Sequence, residues 1–161
     1  MPRRPCHQDH GRVKSVSELN KLQVRLFVEA VWNEGRLDLI DELVAADYMG
    51  LLHGADTGVT GPEGVRRLVA SRRRAHPGLH IKIEDQVAEE DRVVTRWQAT
   101  TTALAADGAT AGHTPCCAGI SITRLLAGKQ VDSHTECTNL TSRAYRRSAA
   151  NPLRIPLSGQ S

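Results

Sequence analysis

From Leu79 to Leu140 the chain reads as one extended segment after another, each closed by a turn and none with helical periodicity. Leu79, Ile81 and Ile83 alternate with His80, Lys82 and Glu84, the two-residue repeat of a half-buried strand. Glu89-Glu90-Asp91 turns the chain into Arg92–Leu104, which is rich in β-branched residues, and Asp107-Gly108 is a hairpin turn signal. Thr110–Leu126 follows, with a bend expected near Pro115, and Ala127-Gly128-Lys129 leads into a last strand, Gln130–Leu140. A sheet of this kind must cover one face, and the cover has to come from the first half of the chain.

That half supplies helices. Ser17 is placed to cap a helix carrying Leu19, Leu22, Leu26, Phe27, Ala30 and Val31 at helical spacing, stopped by Gly35. A short second helix is expected from Leu37 to Val44, with Leu39, Ile40 and Leu43 on one face. Asp47-Tyr48-Met49 opens a short extended segment towards His53, and Gly54 to Gly61 is a polar loop. Pro62 suits the first turn of a third helix, whose stripe is Val65, Leu68 and Val69 and whose stop is His76-Pro77-Gly78. Helices first and hairpins after predict an α+β fold, a cone-shaped barrel in which N-terminal helices pack on a curved, mostly antiparallel sheet and enclose a pocket. Residues 1–14 read as a flexible leader, 15–140 as the domain and 141–161 as a basic, Pro-containing tail.

A chain of 161 residues suits one such domain. No apolar stretch approaches the roughly 20 residues of a membrane-spanning helix, and no hydrophobic segment follows Arg3-Arg4, so a cytoplasmic protein with no membrane partner is expected. The net charge of +3 implies no acidic partner. Arg72-Arg73-Arg74, with Arg66 and Arg67, reads as a solvated helix end favoured by the helix dipole. Nucleic acid is not expected as a partner, because the aromatics that stack bases are scarce: Phe27, Trp32, Tyr48, Trp97 and Tyr145 complete the set. Cys6, Cys116, Cys117 and Cys137 are expected to be free thiols; Cys116 and Cys117, adjacent on a strand, should point to opposite faces. Cys6-His7-Gln8-Asp9-His10 has metal-ligand residue types without a second half to close a site, and no metal is expected.

Several segments together resemble the SnoaL-like polyketide cyclases. Phe27-Val28-Glu29-Ala30-Val31-Trp32-Asn33 followed by Leu39-Ile40-Asp41-Glu42-Leu43-Val44 resembles the opening of that family, and Gly61-Pro62-Glu63-Gly64-Val65-Arg66-Arg67-Leu68 its third helix. Val94-Thr95-Arg96-Trp97, and Gly119-Ile120-Ser121-Ile122 before Gly128-Lys129, resemble its sheet. The resemblance implies the cone fold of the nuclear-transport-factor-2-like superfamily. It also implies an aldol ring closure without cofactor or metal, by an aspartate on the last strand and a nearby histidine. Here His134 stands at the family's Trp position and Thr138 where that aspartate would be sought, leaving Glu136 as the nearest same-face carboxylate. His113-Thr114 resembles the family's His-Thr element after the hairpin turn.

On the last strand Asp132, His134, Glu136 and Thr138 share one face, and Val131, Ser133, Thr135, Cys137 and Asn139 the other. A strand polar on both sides is expected to line a cavity with one of them. The expectation is that Glu136 serves as general base, its pKa raised by an apolar surrounding, with His134 as acid or tuning neighbour and His113 and Tyr48 in support. Substrate contacts are expected from Trp97, Trp32, Phe27 and Thr138; Arg96 and Trp97 face opposite ways, so one at most points inward. The predicted activity is a cofactor-independent cyclase of secondary metabolism acting on a small hydrophobic, polyketide-derived or similar substrate. An epoxide-opening cyclase or hydrolase, and a non-catalytic ligand-binding or dimerisation module, are the alternatives. A homodimer through the outer sheet face is expected.

Overall fold

The computed structural model describes residues 15–52, 58–104 and 110–140. The leader 1–14 with its Cys6–His10 segment, His53 and the loop 54–57, the Asp107-Gly108 turn and the tail 141–161 lie outside the described residues.

Helix α1 runs Val16–Leu26, and its cap is Ser15, not Ser17: Ser15 has the extended backbone of an N-cap, and its Oγ accepts from the Glu18 amide at 3.2 Å. The helix continues as wider π-helical turns over Phe27–Asn33, and Gly35 at φ 78° ends it. A 3-10 turn, Leu37–Leu39, leads into the short helix α2, Ile40–Leu43. Helix α3, Gly61–Ala75, has Pro62 in its first turn and stops at His76, as its sequence predicts. Among the described residues no helix is long and apolar enough to cross a membrane.

The strands are β1 (Val44–Leu52), β2 (Val59–Thr60), β3 (His80–Glu89), β4 (Arg92–Leu104), β5 (Thr110–Leu126) and β6 (Lys129–Asn139). They form one open sheet in the order β2-β1-β6-β5-β4-β3. β3 to β6 are successive antiparallel neighbours, while β1 lies parallel to β6 on its other side. Between those two strands the register slips: Val44 to Met49 on β1 spans only Gln130 to Asp132 on β6. Further irregularities break the pairing of β3 with β4 and of β4 with β5; bulges of this kind bend a sheet and raise its twist.

The helices pack on the inner face of this sheet. Val31, Ile40, Leu43, Val44, Val65 and Val69 form one buried cluster, and Val24, Val93 and Leu125 with Ala88 a second. The end of the π-helical segment is fastened twice. Asn33 meets edge strand β3 as a strand would, its Oδ1 accepting from the Ile81 amide at 2.7 Å and its Nδ2 donating to the Ile81 carbonyl at 3.0 Å. Arg73 donates from Nη1 to the Trp32 and Asn33 carbonyls, 2.6 Å each, satisfying acceptors that a helix end leaves open. Its guanidinium lies beside Gly35, where a Cβ would stand 2.9 Å from Nε. The basic run is therefore not a uniformly solvated face: Arg73 is structural.

Candidate functional site

Between the helices and the sheet lies a cavity of about 580 Å³. Its helical wall is apolar: Val24, Phe27, Val28 and Trp32 from α1 and the π-helical turns, Val65 and Leu68 from α3. The sheet wall is different. Alternate residues Thr95, Trp97, Ala99 and Thr101 of β4, Ser121 and Thr123 of β5, and Ser133, Thr135 and Cys137 of β6 face inward.

The cavity face of β6 is thus the odd-numbered one, opposite to the expectation. Glu136, His134 and Thr138 are exposed on the outer face, and His113, exposed and paired with Thr102, is likewise not among the cavity-lining residues. His134 Nε2 and Glu136 Oε1 lie 3.2 Å apart with side chains 57% and 54% exposed, and Asp132 pairs with Arg124 at 2.7 Å on the same outer side. The physical reason sits on β5. Gly119 is paired with both Trp97 and Cys137, and a Cβ there would stand 2.7 Å from the Trp97 ring and 2.5 Å from the Glu136 carbonyl. With an indole filling that space, the inner side of β6 takes Ser, Thr and Cys, and the long charged side chains go to water, where ionisation carries no desolvation cost.

The other expected residues do line the cavity: Tyr48, Trp97, Trp32 and Phe27. Arg96 points out and pairs with Glu84 at 2.8 Å, leaving Trp97 as the inward member of that pair.

Tyr48 lies within the register slip of β1, its ring over buried Gly50, where a Cβ would come 2.7 Å from the phenol oxygen. Burial pushes the phenol up to about 12; a hydrogen bond with Ser133 pulls the other way and the charge of Asp132 adds to the rise. The phenol is therefore a proton-bearing donor throughout the physiological range. Around it runs a set of hydroxyls that the sequence reading did not single out. Trp97 Nε1 donates to Ser121 Oγ at 3.0 Å, Ser121 and Thr135 share a hydrogen bond at 2.9 Å, Thr123 Oγ1 donates to Ser133 Oγ at 3.5 Å, and Gln86 Nε2 donates to Thr95 Oγ1 at 3.1 Å. Their signal was present in the alternate pairs Ser121 and Thr123 on β5 and Ser133 and Thr135 on β6, with Thr95 on β4.

The two adjacent thiols do not take opposite faces as expected. Ala99 pairs with Cys117 and Thr100 with Pro115, so Cys116 is the extra residue of a bulge, and the bend anticipated near Pro115 brings both cysteines to the cavity wall. Cys137 lines it too, and all three are free thiols. Burial, with Cys116 and Cys137 adding to it, pushes the Cys117 thiol up to about 12, away from the thiolate that would make it a nucleophile. Arg72 and His76, at the end of α3, line it as well. Among the described residues no group of three or more His, Cys, Asp or Glu side chains is placed to hold a metal ion.

Solved structures share this architecture. A polyketide cyclase candidate from Acidithiobacillus ferrooxidans superposes with a TM-score of 0.67 at 21% identity, over 84% of this chain and 99% of its own. IdmH of Streptomyces antibioticus, a polyketide cyclase candidate, gives 0.65 at 24% identity over 80% and 98%. AclR of Streptomyces galilaeus, a hydroxylase candidate, gives 0.59 at 23% over 83% and 97%. At such identities the likeness carries the fold. No curated protein matches the chain by sequence. The SnoaL-like polyketide cyclase profile, however, matches residues 22–142, from the first helix through the last strand. The chain belongs to the SnoaL-like polyketide cyclase family.

Proposed function

We propose that this protein is a cofactor-independent cyclase of secondary metabolism, closing a ring in a polyketide-derived or similarly apolar substrate by aldol-type acid/base chemistry inside the cavity. The observation that supports it most is Tyr48: a half-buried side chain whose phenol keeps its proton and faces an otherwise largely apolar chamber. In this reading the Tyr48 hydroxyl hydrogen-bonds to a ketone oxygen as it gains charge, an interaction strengthened by exclusion of water. His76, on the α3 side of the lining, takes the proton from the carbon next to that ketone. The enolate carbon then attacks a second carbonyl of the same molecule, forming the ring C–C bond, and the resulting alkoxide takes the proton back from the imidazolium. Ser121, Thr123, Ser133 and Thr135 offer hydroxyls to the substrate's remaining oxygens.

The test is turnover of a linear aromatic poly-β-ketone to its cyclised isomer, followed by absorbance and mass. Acceleration over buffer supports the cyclase. Tight binding of such compounds without acceleration would favour a ligand-binding module instead. Within this assay Glu136→Gln is expected to stay within about threefold of the parent, because its carboxylate faces outward; a loss of the 10²–10⁴-fold typical of a missing general base would restore it to the mechanism.

The outer sheet face is proposed to pair two chains. It carries Met49 on β1 and Ile120 and Ile122 on β5, exposed by 55%, 47% and 41%, on the two strands that flank β6. Sedimentation at micromolar concentration should give a dimer that Ile120→Asp converts to monomer; a parent monomer would dismiss the pairing.

A further inference from the structure

We propose that Arg72 anchors a carboxylate of the cavity's ligand, so that this cavity takes an apolar acid in preference to its neutral ester. The inference deepens the cyclase reading by naming the class of substrate, and depends on that reading only for the word substrate.

Helix α3 carries five arginines, Arg66, Arg67, Arg72, Arg73 and Arg74. Arg66 pairs with Asp41 and Glu63, Arg67 with Glu63, and Arg73 with the two carbonyls at the end of the π-helical segment. Arg72, like Arg74, has no side-chain ion pair or hydrogen bond among the described residues, and of the two only Arg72 lines the cavity. It is also the one described cavity-lining residue with a permanent charge. Leu68, Arg72 and His76 follow at four-residue spacing, so one side of the helix end passes from apolar to cationic along the cavity wall. Cys117 of β5 lines the same cavity, and the charge of Arg72 opposes the burial-driven rise of its thiol.

Guanidinium and carboxylate match in shape, two parallel N–H donors meeting two oxygens, and the contact is charge-assisted. An ester offers one weak acceptor in its place. A carboxylate held at Arg72 would lay the apolar body of the acid against Trp32, Trp97 and Ile81 and bring its adjacent carbons beside His76.

The protein carries its own reporter, since Trp32 and Trp97 are its two tryptophans and both line the cavity. Quenching of their fluorescence would be titrated at pH 7.5 with 2-naphthylacetic acid and with its methyl ester. The parent is expected to bind the acid about tenfold more tightly than the ester, the size of one partly exposed charge-assisted contact. Arg72→Gln should remove that preference while leaving the ester's affinity unchanged, and Arg72→Lys should keep part of it. Added salt should weaken acid binding in the parent and not in Arg72→Gln. Equal affinity for acid and ester, or a preference that survives in Arg72→Gln, overturns the inference while the apolar cavity and the cyclase reading stand. Absence of quenching by either compound overturns both.

Discussion

Tyr48→Phe should lower turnover by about 10²–10³-fold while KM for the substrate moves little, because the lost hydrogen bond matters chiefly when the substrate oxygen has become an enolate. The substitution keeps the ring that lies over Gly50 and removes only the group that donates. A structural role alone would leave kcat near the parent value, and that result would remove the phenol from the mechanism. The same variant has a signature in stability. The folded Tyr48 phenol ionises at about 12, above its ordinary value near 10, so the folded state holds this proton where the unfolded state has released it. Its contribution is complete below pH 10 and is lost as pH rises towards 12, on the order of 2 kcal/mol in all. Urea midpoints taken through that window should fall steeply in the parent and less in Tyr48→Phe. Equal slopes would mean that the phenol is not buried as described.

Gly119→Ala should be the most damaging single-methyl addition in the sheet. The new Cβ would meet the Glu136 carbonyl at 2.5 Å, the Trp97 ring at 2.7 Å and the Cys137 Cβ at 3.0 Å, and the first of these is backbone that cannot swing aside. Overpacking of this kind costs about 1–3 kcal/mol, and here it falls on the wall that orients the cavity. Thermal unfolding should drop by several degrees, and the Trp97 indole should leave Ser121, visible as a changed fluorescence maximum. A variant as stable as the parent, with unaltered emission, would show that β5 and β6 are further apart than this packing requires.

The element order was readable because turns and periodicity are local. His76-Pro77-Gly78, Glu89-Glu90-Asp91 and Ala127-Gly128 all fall at element ends, and the third helix starts and stops with its Pro and His. The face of β6 was not readable, since both of its faces are polar and alternation carries no sign. The clue lay one strand away. Ile120 and Ile122 pair with Glu136 and His134, so assigning the isoleucines to the interior would carry those two polar residues in with them. In the structure those isoleucines face outward and the interior is furnished with Gly119, Ser121 and Thr123, because the cavity is lined with hydroxyls and an indole on this side rather than packed with aliphatic chains. The two cysteines were misplaced for a related reason: a bulge adds one residue to one strand and reverses the alternation, and only the pairing partners reveal it. Tyr48, Phe27, Trp32 and Trp97 survived these errors because large aromatic side chains on elements facing a core have few other places to go.

The place of β6 in the sheet bears on how the protein comes into being during synthesis. β6 is the last strand described, yet it lies between β1 and β5 and is the strand that joins them. Until it leaves the ribosome, β1 has only the two-residue β2 as a sheet neighbour, and β5 presents an unpaired edge carrying Ile120 and Ile122. A nascent chain halted after β5 would therefore display a sticky, templating edge, the situation in which chaperones are most needed. Such long-range closure also makes for slow folding, since the loop from β1 to β6 must be ordered before the parallel pairing rewards it. The N-terminal helices can form early, but the chamber they roof acquires its floor only when the end of the domain arrives.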